Sequence, residues 1–302
     1  MPSDLAVAML AGVGAMVGWG FSDFFAKLAV DRIGSLSALV WAHLAGAAII
    51  VTVVVARDLS TWTAPVWPDT PGLWYALAGL GAAQALVYLF VYRGFEKGRL
   101  AILNPLFSAY GGGAAILTIV FFGEDPSPGR LLAVAIVFGG VLLLSLEAGS
   151  TGADTVTGAR SGGVPEILAA TVLAAIWTVL WDATVSSRDW WTLVSLMYLA
   201  MAVTLTATAR TLGGVFPARP RGRDLALVIG IGGAEVLAYL AISVGFSMTP
   251  YTSVVAVLAG AFSLPALALA RAFLGDRLAG IHRLGAGAVI TGTAVLAVVG
   301  GG

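Results

Sequence analysis

Ten continuous apolar stretches, each near the length of a membrane-spanning helix, occupy most of this sequence. They lie at residues 5–30, 36–56, 73–92, 100–122, 130–146, 166–186, 190–209, 225–246, 252–274 and 280–299. A bilayer core of about 30 Å is crossed by a helix of about 20 apolar residues. Strands of a membrane β-barrel would alternate apolar and polar residues, which these stretches do not do. The pattern therefore predicts an all-α integral membrane protein with ten transmembrane helices.

Charge and residue content exclude several classes of function. Only 11% of the residues are charged and 59% are hydrophobic, whereas about 25% are charged in a soluble domain. The formal net charge of zero does not favour nucleic acid as a partner, because polyanion binding needs excess positive charge. The chain has no cysteine and two histidines, so we expect no disulfide, no thiol chemistry, no metal site and no cofactor.

The two halves of the chain resemble each other. At an offset of 151 residues, the segment Gly81–Phe95 aligns with Gly232–Phe246 and shares seven identical residues with it, including both tyrosines at 88 and 239. Residues 147–165, rich in Gly, Ser and Thr, have the composition of a flexible linker. We predict a five-helix repeat at 1–146 and another at 166–302. Because five is odd, the second repeat crosses the membrane in the opposite direction, giving an inverted-topology pair.

Several short motifs carry a family resemblance. They are Gly18-Trp19-Gly20-Phe21, the run 92–98 leading into Asn104-Pro105, and the two similar turns at 121–125 and 273–277. With these motifs in this order, the chain resembles a ten-helix member of the drug/metabolite transporter superfamily, the EamA-type carriers. The resemblance implies that both repeats are EamA-like and that small organic solutes are moved by alternating access, often outward. It leaves the solute open, because amino-acid exporters and sugar carriers share these motifs.

The distribution of basic residues predicts an orientation. Thirteen of the sixteen Lys and Arg residues lie at the odd-numbered loops, which the positive-inside rule places in the cytoplasm, with both termini outside. The tryptophans at 62, 67, 74, 190 and 191 would then lie at the outer interface. The family resemblance instead favours cytoplasmic termini, and here we follow the charge distribution. The expected location is the cytoplasmic membrane, multi-pass.

One carboxylate is predicted to lie at the membrane midplane. Glu235 is about 15 Å from either end of its predicted span, and a charge at that depth needs a partner or a purpose. Tyr239 and Ser243 follow on the same helix face, and the other repeat presents Gln84, Tyr88 and Tyr92 on the equivalent face. We expect these two faces to line one cavity at the repeat interface. The alternative is that they are buried polar residues bonding neighbouring helices.

Other candidates each have a structural alternative. Trp19 and Trp177, with Trp41, Trp181 and Tyr198, would form the walls of the cavity or pack between helices. Asn104, with Pro105, interrupts a helix. His43 would relay a proton or pack in the core. Asp23 and Asp182 are predicted to be interfacial ion-pair or capping groups, with Asp23 pairing with Lys27 four residues on.

These observations favour a secondary transporter of a small organic metabolite, amino-acid-like or amphipathic, with export favoured over uptake. Glu235 is the candidate coupling group, at which proton and substrate would compete. The alternative is a passive facilitator of small solutes such as sugars. An enzyme or a scaffold is less favoured, since the sequence has no HExxH or GxSxG motif and no second deep carboxylate is predicted. The expected partners are the small-molecule substrate and the lipid bilayer, and the chain would be a monomer or a homodimer.

Overall fold

A computed structural model describes residues 4–97, 100–145, 163–186, 188–213, 216–274 and 280–299. Within those ranges the chain forms helices and no strand. The helices are α1 (Asp4–Ile33), α2 (Ser35–Thr61), α3 (Pro71–Lys97), α4 (Leu100–Ser108), α5 (Tyr110–Phe121), α6 (Pro128–Ser145), α7 (Val164–Val185), α8 (Trp190–Gly213), α9 (Gly222–Met248), α10 (Thr252–Gly260), α11 (Ser263–Leu274) and α12 (Gly280–Val299).

The predicted all-α membrane protein is confirmed. In the part of the chain that the structure describes, 9 helical segments are long and apolar enough to cross a membrane, and Pro128–Leu144 is a shorter apolar helix. Large apolar side chains such as Leu10, Val172 and Val203 remain exposed on the outside of the bundle, where lipid would cover them. Most of the predicted linker lies outside the described residues, and the division of the chain at 147–165 stays a prediction.

The fourth and ninth predicted spans are each broken in the middle, which the sequence pattern did not predict. The fourth divides into α4 and α5 at Ala109, and the ninth into α10 and α11 at residues 261–262. Pro105 removes a backbone donor from α4. The two breaks face each other, because the Ser263 backbone N–H donates to Ser108 Oγ at 3.2 Å. Backbone groups released by one break are thus satisfied by the other repeat.

The ends of the helices gather at two opposite faces. At the basic face, where α1 and α3 end and α7 and α9 begin, Arg32 pairs with Asp224 and Lys97 pairs with Glu166. At the terminal face, where α1 begins and α7 ends, the turn after α5 meets the start of α10. The two halves therefore run in opposite directions, as the odd number of spans predicts.

Equivalent glycines make equivalent contacts in the two halves. A Cβ at Gly232 of α9 would lie 2.7 Å from the Ala42 carbonyl oxygen of α2, and a Cβ at Gly81 of α3 would lie 2.7 Å from the Met197 carbonyl oxygen of α8. Ala42 and Met197 are 155 residues apart, so α2 corresponds to α8 at that offset. Gly20 of α1 lies against Pro265, and Gly113, which is 152 residues before Pro265, lies against Ala175 of α7, so α1 corresponds to α7 at the same offset. Such an exchange of partners is what a twofold relation between the repeats produces.

The same relation holds at the far side of the bundle, where α6 crosses α12. A Cβ at Gly140 would lie 2.8 Å from the Gly285 carbonyl oxygen, and a Cβ at Gly292 would lie 3.0 Å from the Ala133 carbonyl oxygen. At an offset of 152 residues, Gly140 corresponds to Gly292 and Ala133 corresponds to Gly285, so the two contacts are equivalent. Glycines therefore lie where two helix backbones approach each other closely, and small residues commonly have this role between membrane helices.

Candidate functional site

Glu235 lies at the centre of the molecule. It is the middle residue of α9, 13 residues from each end, or about 20 Å along the helix axis. Its side chain is fully buried, with Oε2 accepting a hydrogen bond from the Tyr198 hydroxyl at 2.7 Å and Oε1 accepting one from Ser22 Oγ at 3.3 Å. The predicted midplane carboxylate is therefore surrounded by hydroxyl donors from α1 and α8.

His43 of α2 faces the same carboxylate. Its Nδ1 is 2.7 Å from the Leu39 carbonyl oxygen, and its Nε2 is 3.4 Å from Glu235 Oε2. That second distance is longer than an ordinary N···O hydrogen bond. The imidazole ring is fully buried and lies 4.6 Å from the ring of Tyr88, edge to face. A histidine and a carboxylate thus face each other in a fully buried site.

Two tyrosines meet where the repeats meet. The Tyr239 hydroxyl is 3.4 Å from the Tyr88 hydroxyl, and the two residues are 151 apart, which is the offset that relates α3 to α9. Their contact therefore lies on the pseudo-twofold axis. The six residues around this axis are called the central cluster below, and they are Ser22, His43, Tyr88, Tyr198, Glu235 and Tyr239.

A small cavity of about 20 Å³ lies beside the central cluster. Its apolar walls include Trp19, Tyr88, Phe107, Tyr110, Trp177 and Phe262. Its polar lining comes from Asp23, Gln84 and Thr178. Like small-molecule sites, it is mostly apolar with a few placed polar groups. Residues from both halves line it, and Gln84, Tyr88, Trp19 and Trp177 are among them; that they bind a solute stays a prediction.

Glu235 is not among the described residues that line this cavity. The hydroxyls of Ser22 and Tyr198 cover its two oxygens. Direct competition of proton and substrate at this one carboxylate, as the sequence suggested, therefore does not fit the geometry. The carboxylate that reaches the cavity is Asp23.

The expectations about Asp23 were wrong in two respects. Lys27 does not pair with Asp23 but with Asp31, at 2.7 Å, and it also donates to the Phe95 carbonyl oxygen. One turn further along α1, Asp31 is nearer the basic face, and a lysine directs its charged end toward water. Asp23 itself is 4% exposed and accepts a hydrogen bond from Asn104 Nδ2 at 2.5 Å. Glu235 is therefore not alone as a deep carboxylate.

Two predicted site residues, Ser243 and Tyr92, belong neither to the cavity lining nor to the central cluster. Ser243 accepts a hydrogen bond from Trp181 Nε1 at 3.1 Å and is fully buried between helices. Tyr92 packs 6.4 Å from the Tyr88 ring and lines a separate groove toward the basic face with Arg93. The position of Ser243 fits the alternative that it is a buried polar residue bonding a neighbouring helix. Asn104 contributes to the site through its bond to Asp23.

Several cavity residues could not be identified from the sequence pattern. Phe107, Tyr110 and Phe262 all lie at the helix breaks, and the continuous apolar pattern concealed those breaks. Asp23 follows Trp19 by four residues, which places both on one face of α1. That spacing could have assigned Asp23 to the cavity. Thr178 corresponds to Asp23 at the offset of 155 residues, but this offset becomes visible only in the packing.

At the terminal face, two carboxylates hold the start of α10. Glu124 accepts hydrogen bonds from the Ser253 backbone N–H at 2.8 Å and from Ser253 Oγ at 2.5 Å. Asp182, near the end of α7, accepts from Thr252 Oγ1 at 2.9 Å. Partial burial raises the pKa of Glu124 above its ordinary value, although these hydrogen bonds oppose the shift. Negative charge at a helix N-terminus is favourable, so Glu124 and Asp182 stabilise the start of α10 at this end of the bundle.

Comparisons with known proteins agree with this architecture. Residues 6–146 match the EamA-like transporter family. That family is a class of membrane transporters of small solutes and is not an enzyme class. A comparison with curated proteins found no match. The chain is similar to a protein of known crystal structure, with a TM-score of 0.74, 16% sequence identity, and 97% of each chain covered. At that identity the likeness is one of fold alone.

Proposed function

We propose that the chain, whose residues 6–146 match the EamA-like transporter family, is a member of the drug/metabolite transporter superfamily. From this premise we propose a secondary transporter that exports a small organic solute in exchange for protons. The solute occupies the cavity between the repeats. The proton is held by Glu235 and His43. The membrane is the cytoplasmic membrane, and the two repeats rock about their common axis to expose the cavity to each side in turn.

The observation that carries the proton coupling is the geometry of His43. A carbonyl oxygen can only accept, so the 2.7 Å contact with Leu39 requires a hydrogen on Nδ1. In a neutral imidazole the other nitrogen, Nε2, then has a lone pair, and this lone pair faces Glu235 Oε2. Two lone pairs facing each other in a buried site are unfavourable. One proton between the carboxyl group and the ring removes the conflict, on either partner.

Loss of the proton and binding of the solute are coupled through electrostatic interactions. Asp23, which lines the cavity, interacts unfavourably with an ionised Glu235, and Tyr198 donates a hydrogen bond to the same Glu235 carboxylate. Loss of the proton leaves an extra negative charge beside the cavity. A bound cation compensates that charge, so deprotonation and solute binding favour each other. Proton and solute are thereby exchanged without sharing one carboxylate.

Rocking of the repeats is supported by the two broken helices. The breaks at Ala109 and at residues 261–262 lie beside the cavity, where a helix can bend without losing all of its backbone bonds. Discontinuous helices of this kind are typical of the substrate sites of secondary transporters.

The test is transport in proteoliposomes, measured with a pH gradient across the membrane and a panel of amino acids, sugars and aromatic amines. We expect Glu235→Gln to insert and fold, because glutamine keeps the size and most hydrogen bonds. The variant should lose gradient-driven accumulation but keep exchange of labelled for unlabelled solute. Asp69→Asn, at an exposed loop carboxylate, is the matched control and should behave as the unaltered protein.

Two results would contradict the proposal. Unchanged rate and unchanged pH dependence in Glu235→Gln would make the carboxylate structural and favour a passive facilitator. No flux of any panel member in either orientation would favour a scaffold instead.

A further inference from the structure

We infer that the cavity binds an organic cation, with Asp23 as the counter-ion of its protonated amine and the surrounding aromatic rings holding its apolar body. The inference rests on the proposed function and specifies the class of substrate for that site.

The first observation is a buried carboxylate that faces the cavity without a cation. Asp23 is 4% exposed, and its described hydrogen-bond partner is the neutral amide of Asn104. Among the described residues that line the cavity, none has a basic side chain. The nearest lysine on the same helix, Lys27, is engaged by Asp31 and by the Phe95 carbonyl. A buried carboxyl group stays ionised only when a positive charge compensates it, and a ligand can supply that charge.

The second observation is a cavity-lining acceptor that lacks a donor. Gln84 lines the cavity, and its buried Oε1 has no hydrogen-bond partner. An amide oxygen can only accept, so a group that satisfies it must donate. An ammonium group carries three N–H donors. Gln84 therefore requires a donor, which a carboxylate or carbonyl group of a ligand would not provide.

The third observation is the wall of aromatic rings. Trp19 lies edge to face with Tyr110, with ring centroids 6.1 Å apart, and Tyr110 stacks on Phe262 at 6.0 Å. Phe107 and Trp177 add further ring surface to the lining. Aromatic faces attract cations, most strongly when water is excluded, and they also bury apolar groups. The cavity thus matches a molecule with a cationic end and an apolar or aromatic end.

These features discriminate between an amine and its parent amino acid. The zwitterion of an amino acid brings a carboxylate, and the described lining has no Lys or Arg to bind it. A sugar would need more hydrogen-bonding groups than the mostly apolar walls present. An amine that lacks a carboxylate fits best.

The binding test uses the purified full chain and three ligands with the same ring. Isothermal titration calorimetry at pH 7 compares 2-phenylethylamine, 2-phenylethanol and L-phenylalanine. We expect the amine to bind about tenfold or more tightly than the other two, as a charge-assisted hydrogen bond implies. Equal affinity for the amine and the alcohol would overturn the inference.

Substitutions identify the residues that distinguish the amine from the alcohol. Asp23→Asn should weaken amine binding about tenfold and change alcohol binding by less than about twofold, whereas Asp31→Asn, at the exposed carboxylate of the same helix, should change neither. Tyr110→Phe keeps the ring and should bind the amine normally, whereas Tyr110→Leu should bind it about threefold more weakly or worse. Unchanged amine affinity in both Asp23→Asn and Tyr110→Leu would refute the assignment.

Failure of this inference and failure of the proposed function can be told apart. Calorimetry needs neither a membrane nor a proton gradient, so it reports the site alone. If Glu235→Gln transports normally while the amine preference is intact, proton coupling is wrong and the cation site stands. If the amine preference is absent while Glu235→Gln loses gradient-driven transport, the cation site is wrong and the coupling stands.

Discussion

The contact between α9 and α2 predicts a large difference between two neighbouring glycines. At Gly232, an added Cβ would lie 2.5 Å from the Gly46 backbone nitrogen and 2.7 Å from the Ala42 carbonyl oxygen. At Gly233, the nearest atom to an added Cβ is Ile49 Cδ1, at 3.8 Å. Both glycines lie inside the same helix. Gly232→Ala must therefore push two backbones apart, whereas Gly233→Ala meets ordinary van der Waals contact.

The magnitude follows from two opposing effects. Alanine is favoured over glycine in a helix by about 1 kcal/mol at either position. Overpacking typically costs about 1–3 kcal/mol, and the upper part of that range applies at Gly232 because backbone atoms cannot rotate away. We expect Gly233→Ala to be neutral or stabilising by up to about 1 kcal/mol, and Gly232→Ala to be destabilising by about 1–2 kcal/mol.

The assay is thermal unfolding of the purified variants in one detergent, followed by the fluorescence of the nine tryptophans. The order of midpoints should be Gly233→Ala, unaltered protein, Gly232→Ala. Gly81→Ala and Gly79→Ala repeat the comparison in the other half, because Gly81 contacts α8 closely and Gly79 meets nothing within 4 Å. A Gly232→Ala midpoint equal to or above that of Gly233→Ala would refute the close approach of α9 and α2.

Three further predictions concern other parts of the molecule. Tyr198→Phe removes a 2.7 Å hydrogen bond to Glu235 and should shift the pH dependence of transport while the protein stays folded, which a pH profile of flux would measure. Burial raises the pKa of Glu124 in the folded state, so folding favours its protonated form and stability is lost as pH rises from about 4 through the raised pKa. Thermal midpoints across this window should therefore fall less in Glu124→Gln than in the unaltered protein, and parallel curves would contradict the shift. A C-terminal reporter active only in the cytoplasm should be silent if both termini are outside, and a strong signal would reverse the orientation.

Much of the fold could be predicted because the membrane imposes a simple pattern. Helix number, the duplication and the opposed directions follow from the length of apolar stretches and from Tyr88 and Tyr239 at equivalent places. The helix breaks could not be read in the same way. Apolar composition is the same in a continuous and in a broken helix, and Pro105 lies four residues before the break at Ala109. The residues at the breaks that line the cavity were missed for that reason.

The residues of the site were predicted in part. Which of them line the cavity and which contact a neighbouring helix was not predicted. Depth along a helix identified Glu235 correctly as a central carboxylate. Whether a buried side chain faces a cavity or a neighbouring helix depends on the rotation and packing of that helix, which the sequence of α9 alone does not specify. Asp23 was assigned to the interface because its span was predicted to end at residue 30, whereas α1 continues to Ile33. Those three residues place Asp23 about one turn deeper.

The duplicated architecture also has an energetic consequence. In a pair of identical inverted repeats, exchanging the conformations of the two halves converts one open state into the other, so the two states would have equal free energy. Here the halves differ where they meet: Glu235 corresponds to Gln84, Asp23 to Thr178 and His43 to Tyr198. Under the proposed rocking mechanism, these differences also set the resting population of the two open states. Making the repeats alike at one of these positions, as in Thr178→Asp, alters a conformational equilibrium as well as a binding site.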